Sequence, residues 1–344
     1  MHERIGIIML TAVGDAVHVL PVVNAIKRHS PRSHISWMLQ PGPAALVRGH
    51  PSVDELLVFD RSRGWTAFLD ARHVLDKHPF DVVLDLQSYF KAGVLTALAR
   101  APRKIGYDRA RARDLNWLFT TDRLSPQPRA HIQDEYLEFL DALSIPHGEP
   151  QWGLGPWPEE RAWQSEFLAR FDRPIVPLVI GSSKPAKDWL PERWAQTADI
   201  LYEKHGVQPM LVGGPSPRER TTEAFVMRRA KHPVISALDS GLRRLVSILD
   251  AAPLVISVDT GPLHIAVALG RPVISLMGYA DPRRVGPYRA SHDLMVDAYH
   301  EGDGSTDAVS TRTYLDRMQR ITVSDVADRL AIWETRYRGA LSPR

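Results

Sequence analysis

Not one of the 344 residues is a cysteine. That absence excludes disulfides and thiolate metal sites, and it fits a cytosolic protein. No apolar stretch is long enough to span a bilayer, and there is no short-period repeat or long low-complexity segment. The first apolar run, 5–13, meets Gly14 and Asp15 without a cleavage-like site, so no signal peptide is expected. Net charge is small, at +3, and no nucleic-acid partner is expected. The charge is uneven, however. Residues 91–129 hold nine Lys or Arg against three Asp, a local excess of +6. Such a stretch is either a solvated basic face or a surface for an anionic substrate or membrane.

What remains is an ordinary globular composition, 44% hydrophobic and 8% aromatic, in a chain long enough for two domains. Apolar runs alternate with helical patterns. Strands are predicted over 4–10, 34–39, 55–59, 81–86 and 104–107, with helices over 16–28, 65–77, 89–100 and 131–143. Pro and Gly clusters at 144–158 suggest a join between domains. The rhythm restarts with strands over 175–180, 209–212, 234–237, 254–258 and 273–277. Helices start near Pro191, Arg218, Gly241 and Pro262, and a last one covers 324–337. This is βαβ order, hence an α/β protein with two doubly wound domains and sites beyond the carboxyl ends of the strands.

Four strand-to-helix corners carry chemistry. At the first, Met9-Leu-Thr-Ala-Val-Gly-Asp, Gly14 allows a positive φ or close ligand approach, but a GxGxxG fingerprint is absent. Asp15 either caps the following helix or serves as a general base. His18 reads as a satisfied helix residue. The second corner is Ile180-Gly-Ser-Ser-Lys-Pro-Ala-Lys. Here Ser182, Ser183 and Lys187 either hold phosphate oxygens or form a polar loop, and no Walker motif is present. At the third, Gly213-Gly-Pro-Ser-Pro-Arg-Glu, Glu219 either accepts from a ribose or is a first-turn helix carboxylate. The fourth is Asp259-Thr-Gly-Pro-Leu-His. A helix starting at Pro262 would leave the N–H groups of Gly261, Leu263 and His264 facing an anion. His264 could add a hydrogen bond or charge, while Asp259 could orient Thr260, cap the helix or bind sugar hydroxyls. Together the corners suit a sugar bearing a diphosphate.

These corners resemble glycosyltransferase family nine, the bacterial ADP-heptose:lipopolysaccharide heptosyltransferases, over nearly the whole chain. The resemblance rests on Leu10-Thr-Ala-Val-Gly-Asp-Ala-Val-His-Val-Leu-Pro, Pro185-Ala-Lys-Asp-Trp-Leu-Pro-Glu-Arg-Trp, Asp259-Thr-Gly-Pro-Leu-His, Gly278-Tyr-Ala-Asp-Pro and the closing Met318-Gln-Arg-Ile-Thr-Val-Ser-Asp-Val. It implies a GT-B fold, two Rossmann-like domains facing across a cleft. An acceptor-side domain would cover 1–155 and a nucleotide-sugar domain 156–323, with the last helix, 324–344, packing back on the first. It implies inverting transfer of heptose from ADP-heptose to a lipopolysaccharide core acceptor. Asp15 would be the base, and Lys187, Asp259, Thr260, Gly261 and His264 the donor residues, with Glu219 on the nucleotide. No metal or other cofactor is expected. A cytoplasmic location is expected, with peripheral contact at the inner membrane a further expectation. The family commonly reads Gly-Pro-Thr-Asp-Pro where this chain has Gly278-Tyr-Ala-Asp-Pro, which leaves the donor sugar open. The alternatives are a same-fold transferase using another nucleotide sugar, a sugar-nucleotide epimerase, and a non-catalytic nucleotide-binding protein.

Overall fold

Short apolar runs pair as parallel strands in two separate six-stranded sheets, seen in a computed structural model that describes residues 3–146, 148–302 and 308–339. The chain divides into two compact units, Met1–Gly153 and Leu154–Arg344. In the first, β1 (Arg4–Ile8), α1 (Val13–His29), β2 (His34–Leu39), α2 (Pro41–Val47), β3 (Glu55–Val58) and α3 (Thr66–Asp76) lead to β4 (Val82–Asp85), α4 (Phe90–Leu98), β5 (Arg103–Gly106), β6 (Asp122–Arg123) and α5 (Ile132–Ala142). The second unit opens with α6 (Pro158–Leu168), β7 (Ile175–Val179), α7 (Pro191–His205), β8 (Gln208–Val212), α8 (Pro217–Arg229) and β9 (Ile235–Ser236). It continues with α9 (Leu242–Ala251), β10 (Val255–Val258), α10 (Gly261–Ala268), β11 (Val273–Met277), α11 (Pro282–Val285), β12 (Val296–Asp297) and α12 (Val323–Arg336).

The first sheet runs β3-β2-β1-β4-β5-β6 and the second β12-β11-β10-β7-β8-β9. Counted from its own first strand, each unit has the doubly wound order 3-2-1-4-5-6. Central strands of such sheets are covered on both faces, so they are mostly apolar. Accordingly β4, β7, β10 and β11 are buried along their whole length. The strand order reverses between β1 and β4 in one unit and between β7 and β10 in the other. Those two switch points are where ligand crevices open at the carboxyl edge.

The predicted strands and the long helices are all present. Five elements were not predicted: α2, α6, α11 and the two-residue edge strands β6 and β12. Helix α6 starts where the Pro- and Gly-rich stretch ends. Pro158 occupies its first turn, and Glu160 caps the N–H of Trp157 (2.9 Å). Arg243 of α9 then bonds both Glu160 oxygens (2.7 and 2.6 Å) and the Leu154 carbonyl, fastening this segment to the second unit.

The last helix packs within the second unit. Val326, Leu330 and Trp333 of α12 are buried in the second unit's core with Trp189, Trp194 and Leu276, and Trp333 Nε1 donates to the Pro253 carbonyl (3.0 Å). These apolar residues of α12 are thus engaged by the second unit. Residues 340–344 of that expected helix lie outside the described residues. Thr322 is the cap: it and Asp325 form a reciprocal capping box. Among the described residues no helix is long and apolar enough to cross a membrane.

Candidate active site

Three of the four corners lie side by side at the carboxyl edge of the second sheet, after β7, β8 and β10. After β7, residues Pro185–Lys187 form one 3-10 turn that points Lys187 toward the switch point. Its Nζ pairs with Asp259 Oδ2 at 2.8 Å, and Asp259 is only 5% exposed at the end of β10. The ion pair therefore ties together the two strands between which the order reverses. The pairing also holds the Lys187 ammonium in place.

Glu219, at the third position of α8, is also fixed. Its Oε1 accepts from the Gly214 N–H (2.7 Å) and its Oε2 from the Ser216 hydroxyl (2.6 Å). Glycine is needed opposite it. A Cβ on Gly181 would stand 2.3 Å from Glu219 Cγ, and one on Gly213 would stand 2.5 Å from Oε1. The first-turn role is thus realised, and the same carboxylate lies between the β7 and β8 corners, keeping lone pairs for a ligand hydroxyl.

The serine corner is a hydrogen-bonded polar loop, one of its two expected forms. Ser182 Oγ donates to the Lys184 carbonyl (2.8 Å) and its N–H donates to Asp188 Oδ1 (3.1 Å). Arg218 bonds both Asp188 Oδ2 (2.8 Å) and the Ser182 carbonyl (2.7 Å). Burial pushes the Asp188 carboxyl above its ordinary range, against the hydrogen bonds from Ser182 and the charge of Arg218. Ser182 thus closes the loop on itself, while Ser183 is exposed.

At the fourth corner Thr260 is the N-cap residue of α10, with Gly261 and Pro262 in its first turn. The Leu263 N–H donates to the Thr260 carbonyl (3.1 Å), so it is not left for an anion as the sequence suggested. His264 is buried at 7% exposure.

In the first unit, Asp15 sits in the first turn of α1 and is half-buried. Its Oδ2 accepts the Ala12 N–H (2.7 Å), the capping role in physical form. Its Oδ1 accepts from the Tyr136 hydroxyl of α5 (3.0 Å). Tyr136 went unnoticed in the sequence, because a tyrosine 121 residues away carries no local signal. One turn along, Gln133 bonds His18 twice, to its carbonyl (2.8 Å) and to Nδ1 (3.1 Å). The two helices are thereby clamped at the level of Asp15. Gly14 lies within α1 and has no positive φ.

A cavity of about 460 Å³ opens beside this corner at the switch point of the first sheet. It is lined by Thr11, Gln40, Phe59, Arg61, Gln87 and Lys91, among others. Gln87 ties the ends of β1 and β4 together, accepting from the Leu10 N–H (2.8 Å) and donating to the Thr11 carbonyl (3.1 Å). Beneath it Asp85 is fully buried and accepts from Thr96 Oγ1 (2.7 Å), Asn116 Nδ2 (3.0 Å) and the Gln87 N–H (3.2 Å).

Burial outweighs those three donors and pushes the Asp85 carboxyl from 3.8 up to about 7. The unfolded chain ionises this group near 3.8 and the folded chain near 7. The folded state then holds more protons, so the contribution of Asp85 to stability falls as pH rises between those values and is flat above them. His18 works in the other direction. Burial, with His131 nearby, lowers it from 6.5 to about 3, so its contribution falls as pH drops below 6.5. The two oppose each other in mildly acidic solution. Asp85→Asn is expected to remove the descending limb between pH 5 and 7, which thermal unfolding at several pH values will read. An unchanged slope in the variant would mean that Asp85 is already ionised at pH 5.

A match to the model of glycosyltransferase family 9 (heptosyltransferase) covers residues 69–307. The chain belongs to that family. Its relatives include the lipopolysaccharide core heptosyltransferase OpsX of Haemophilus influenzae, 31% identical over 87% of this chain and 85% of the relative. Among solved structures, a family 9 transferase from Veillonella parvula superposes with a TM-score of 0.80 at 22% identity, covering 96% and 97% of the two chains. E. coli heptosyltransferase WaaC with ADP gives 0.75 at 21% identity, covering 96% and 99%. The fold is therefore GT-B, and the protein is a glycosyltransferase. Among the described residues of this transferase, no group of three or more His, Asp or Glu could hold a metal ion.

Proposed function

We propose that this transferase moves a heptose from ADP-heptose to a lipopolysaccharide core acceptor, with inversion and without a metal. The observation that carries the reading is the Lys187–Asp259 pair at the switch point of the second sheet, flanked by α10 and Glu219. OpsX, at 31% identity, supplies the heptose and the core acceptor by its name.

In this reading the acceptor hydroxyl attacks the anomeric carbon. A C–O bond forms to the acceptor as the bond to the diphosphate breaks, and ADP leaves. Asp15 Oδ takes the hydroxyl proton. Lys187, His264 and the first turn of α10 stabilise the charge that develops on the leaving diphosphate. Glu219 receives the nucleotide's ribose. Gly14, Ser182 and Ser183 act through the shape of their loops. Tyr136, by donating to Oδ1, holds the carboxylate of Asp15 in place.

The acceptor belongs to the cavity lined by Thr11, Arg61, Gln87 and Lys91. The basic stretch at 91–129 serves that side only in part. Arg111 is 2% exposed and paired with Asp108 and Glu138, so its charge is compensated inside the unit. Lys91, Arg109, Arg113 and Arg123 remain exposed. To these exposed basic residues we assign peripheral contact with an anionic inner membrane from the cytoplasm.

The test is turnover with ADP-heptose and a purified core acceptor, followed by ADP release and product mass, with and without chelator. UDP-, GDP- and dTDP-sugars run in parallel. Chelator-insensitive heptosylation supports the proposal. Turnover with another nucleotide sugar alone would overturn the donor, and nucleotide-sugar conversion without acceptor would replace transfer by epimerisation.

A further inference from the structure

The 3-10 turn Pro185–Lys187 and its N-cap residue carry two lysines, and among the described residues only one of them pairs with a carboxylate. Lys184 is its N-cap residue, and the Lys187 N–H donates to the Lys184 carbonyl (3.0 Å). Side chains three apart on such a turn eclipse one another. Both ammonium groups accordingly stand over one ring: Lys184 Nζ is 5.2 Å and Lys187 Nζ 5.4 Å from the Tyr279 centroid. Lys184 Nζ also donates to the Tyr279 hydroxyl (3.2 Å). Lys187 is compensated by Asp259, whereas among the described residues no carboxylate pairs with Lys184.

Tyr279 is itself held firmly. It is 8% exposed, its carbonyl accepts from the Tyr314 N–H (2.9 Å), and Ala280 bridges to Thr313. A hydrogen bond from Thr313, with those of the lysines' charge behind it, lowers the phenol below its ordinary range. The loop end is fixed as well, since Ser182 Oγ both donates to the Lys184 carbonyl (2.8 Å) and accepts its N–H (3.3 Å). Two like charges are thus held around one aromatic ring, one of them also by its hydroxyl, an arrangement that an arriving anion would favour. A diphosphate carries more than one negative charge, and Asp259 already compensates Lys187.

We propose that Lys184 is a second phosphate-contacting cation of the donor site, and that Tyr279 is the positioning residue that holds it beside Lys187. The inference rests on the donor-site reading above. It also gives Tyr279, which replaces the residue common in the family at this place, a defined task.

The test is calorimetric titration of the full chain with ADP and with adenosine, which lacks the phosphates. Lys184→Ala is expected to weaken ADP binding about 10-fold and to leave adenosine unchanged, as loss of one charged phosphate contact would. Lys184→Arg should recover most of the affinity. Tyr279→Phe keeps the ring and removes the hydroxyl, and is expected to weaken ADP about 3-fold with a smaller salt dependence than the parent. Lys187→Ala runs as the control. If it weakens ADP binding while Lys184→Ala matches the parent, this inference fails and the donor site stands. If the parent binds no ADP, or Lys187→Ala binds as the parent does, both fail. Lys184 is exposed, so its variants decide the question even where a Tyr279 variant does not fold.

Discussion

Asp15→Asn is expected to cut turnover about 10³-fold while ADP affinity stays at the parent value. The choice of Asn matters, because the structure gives Asp15 two tasks. One oxygen caps α1 through the Ala12 N–H, and the other receives the Tyr136 hydroxyl. An asparagine oxygen can keep the cap, so the helix start survives while the proton acceptor is lost. Asp15→Ala removes both, and should cost about 1 kcal/mol of stability as well. Initial rates of ADP release, with a titration of ADP on each variant, separate the roles. Turnover of Asp15→Asn within tenfold of the parent would leave Asp15 a cap only. Tyr136→Phe is the companion variant: a smaller loss in kcat with little change in donor affinity would place Tyr136 as the residue that orients the base.

Lys187→Ala is expected to weaken ADP binding by about 10²-fold, the loss of a charge-assisted contact in a partly enclosed site. It also strands the Asp259 carboxylate, which is 5% exposed. Breaking a buried pair costs more than the pair contributes, because the remaining charge stays desolvated. The Lys187 side chain keeps 18% exposure, so a cost on the order of 1–3 kcal/mol is expected, below that of a fully buried pair. The double variant Lys187→Ala/Asp259→Asn should recover most of the stability and none of the ADP affinity. Denaturant unfolding and calorimetry read the two effects. If the double variant binds ADP as the parent does, Lys187 acts by neutralising Asp259 and has no phosphate contact.

Much of the architecture was legible in the residues. The buried strands 175–179 and 273–277 are runs of apolar residues bounded by polar or Gly corners, and parallel strands covered on both faces have to read that way. The edge strands β6 and β12 were not legible. They are two residues long, and Asp122–Arg123 owes its strand geometry to β5 beside it. Helix α6 was hidden by its own punctuation: Pro158 reads as a breaker until it is seen to open a helix. Among the candidate residues, local sequence placed Thr260, Gly261 and Glu219 at helix starts, where the structure has them. It did not show that the Leu263 N–H and the Ser182 hydroxyl are engaged, because a motif names a group without saying whether its hydrogen bonds are taken.

By itself, then, the sequence determined the βαβ rhythm, the four corners and the family, since each depends on residues near one another in the chain. The tertiary structure decided which partner each polar group finds. It set Lys187 on Asp259 across 72 positions of sequence, Lys184 on Tyr279 across 95, and Tyr136 on Asp15 across 121. It also withdrew Arg111 from the basic face and engaged α12 in the second unit. The physical reason is common to all of these. A side chain's charge and hydrogen-bonding capacity are local properties, but their compensation depends on what the folded chain brings within about 3 Å, and no periodicity in the sequence records that.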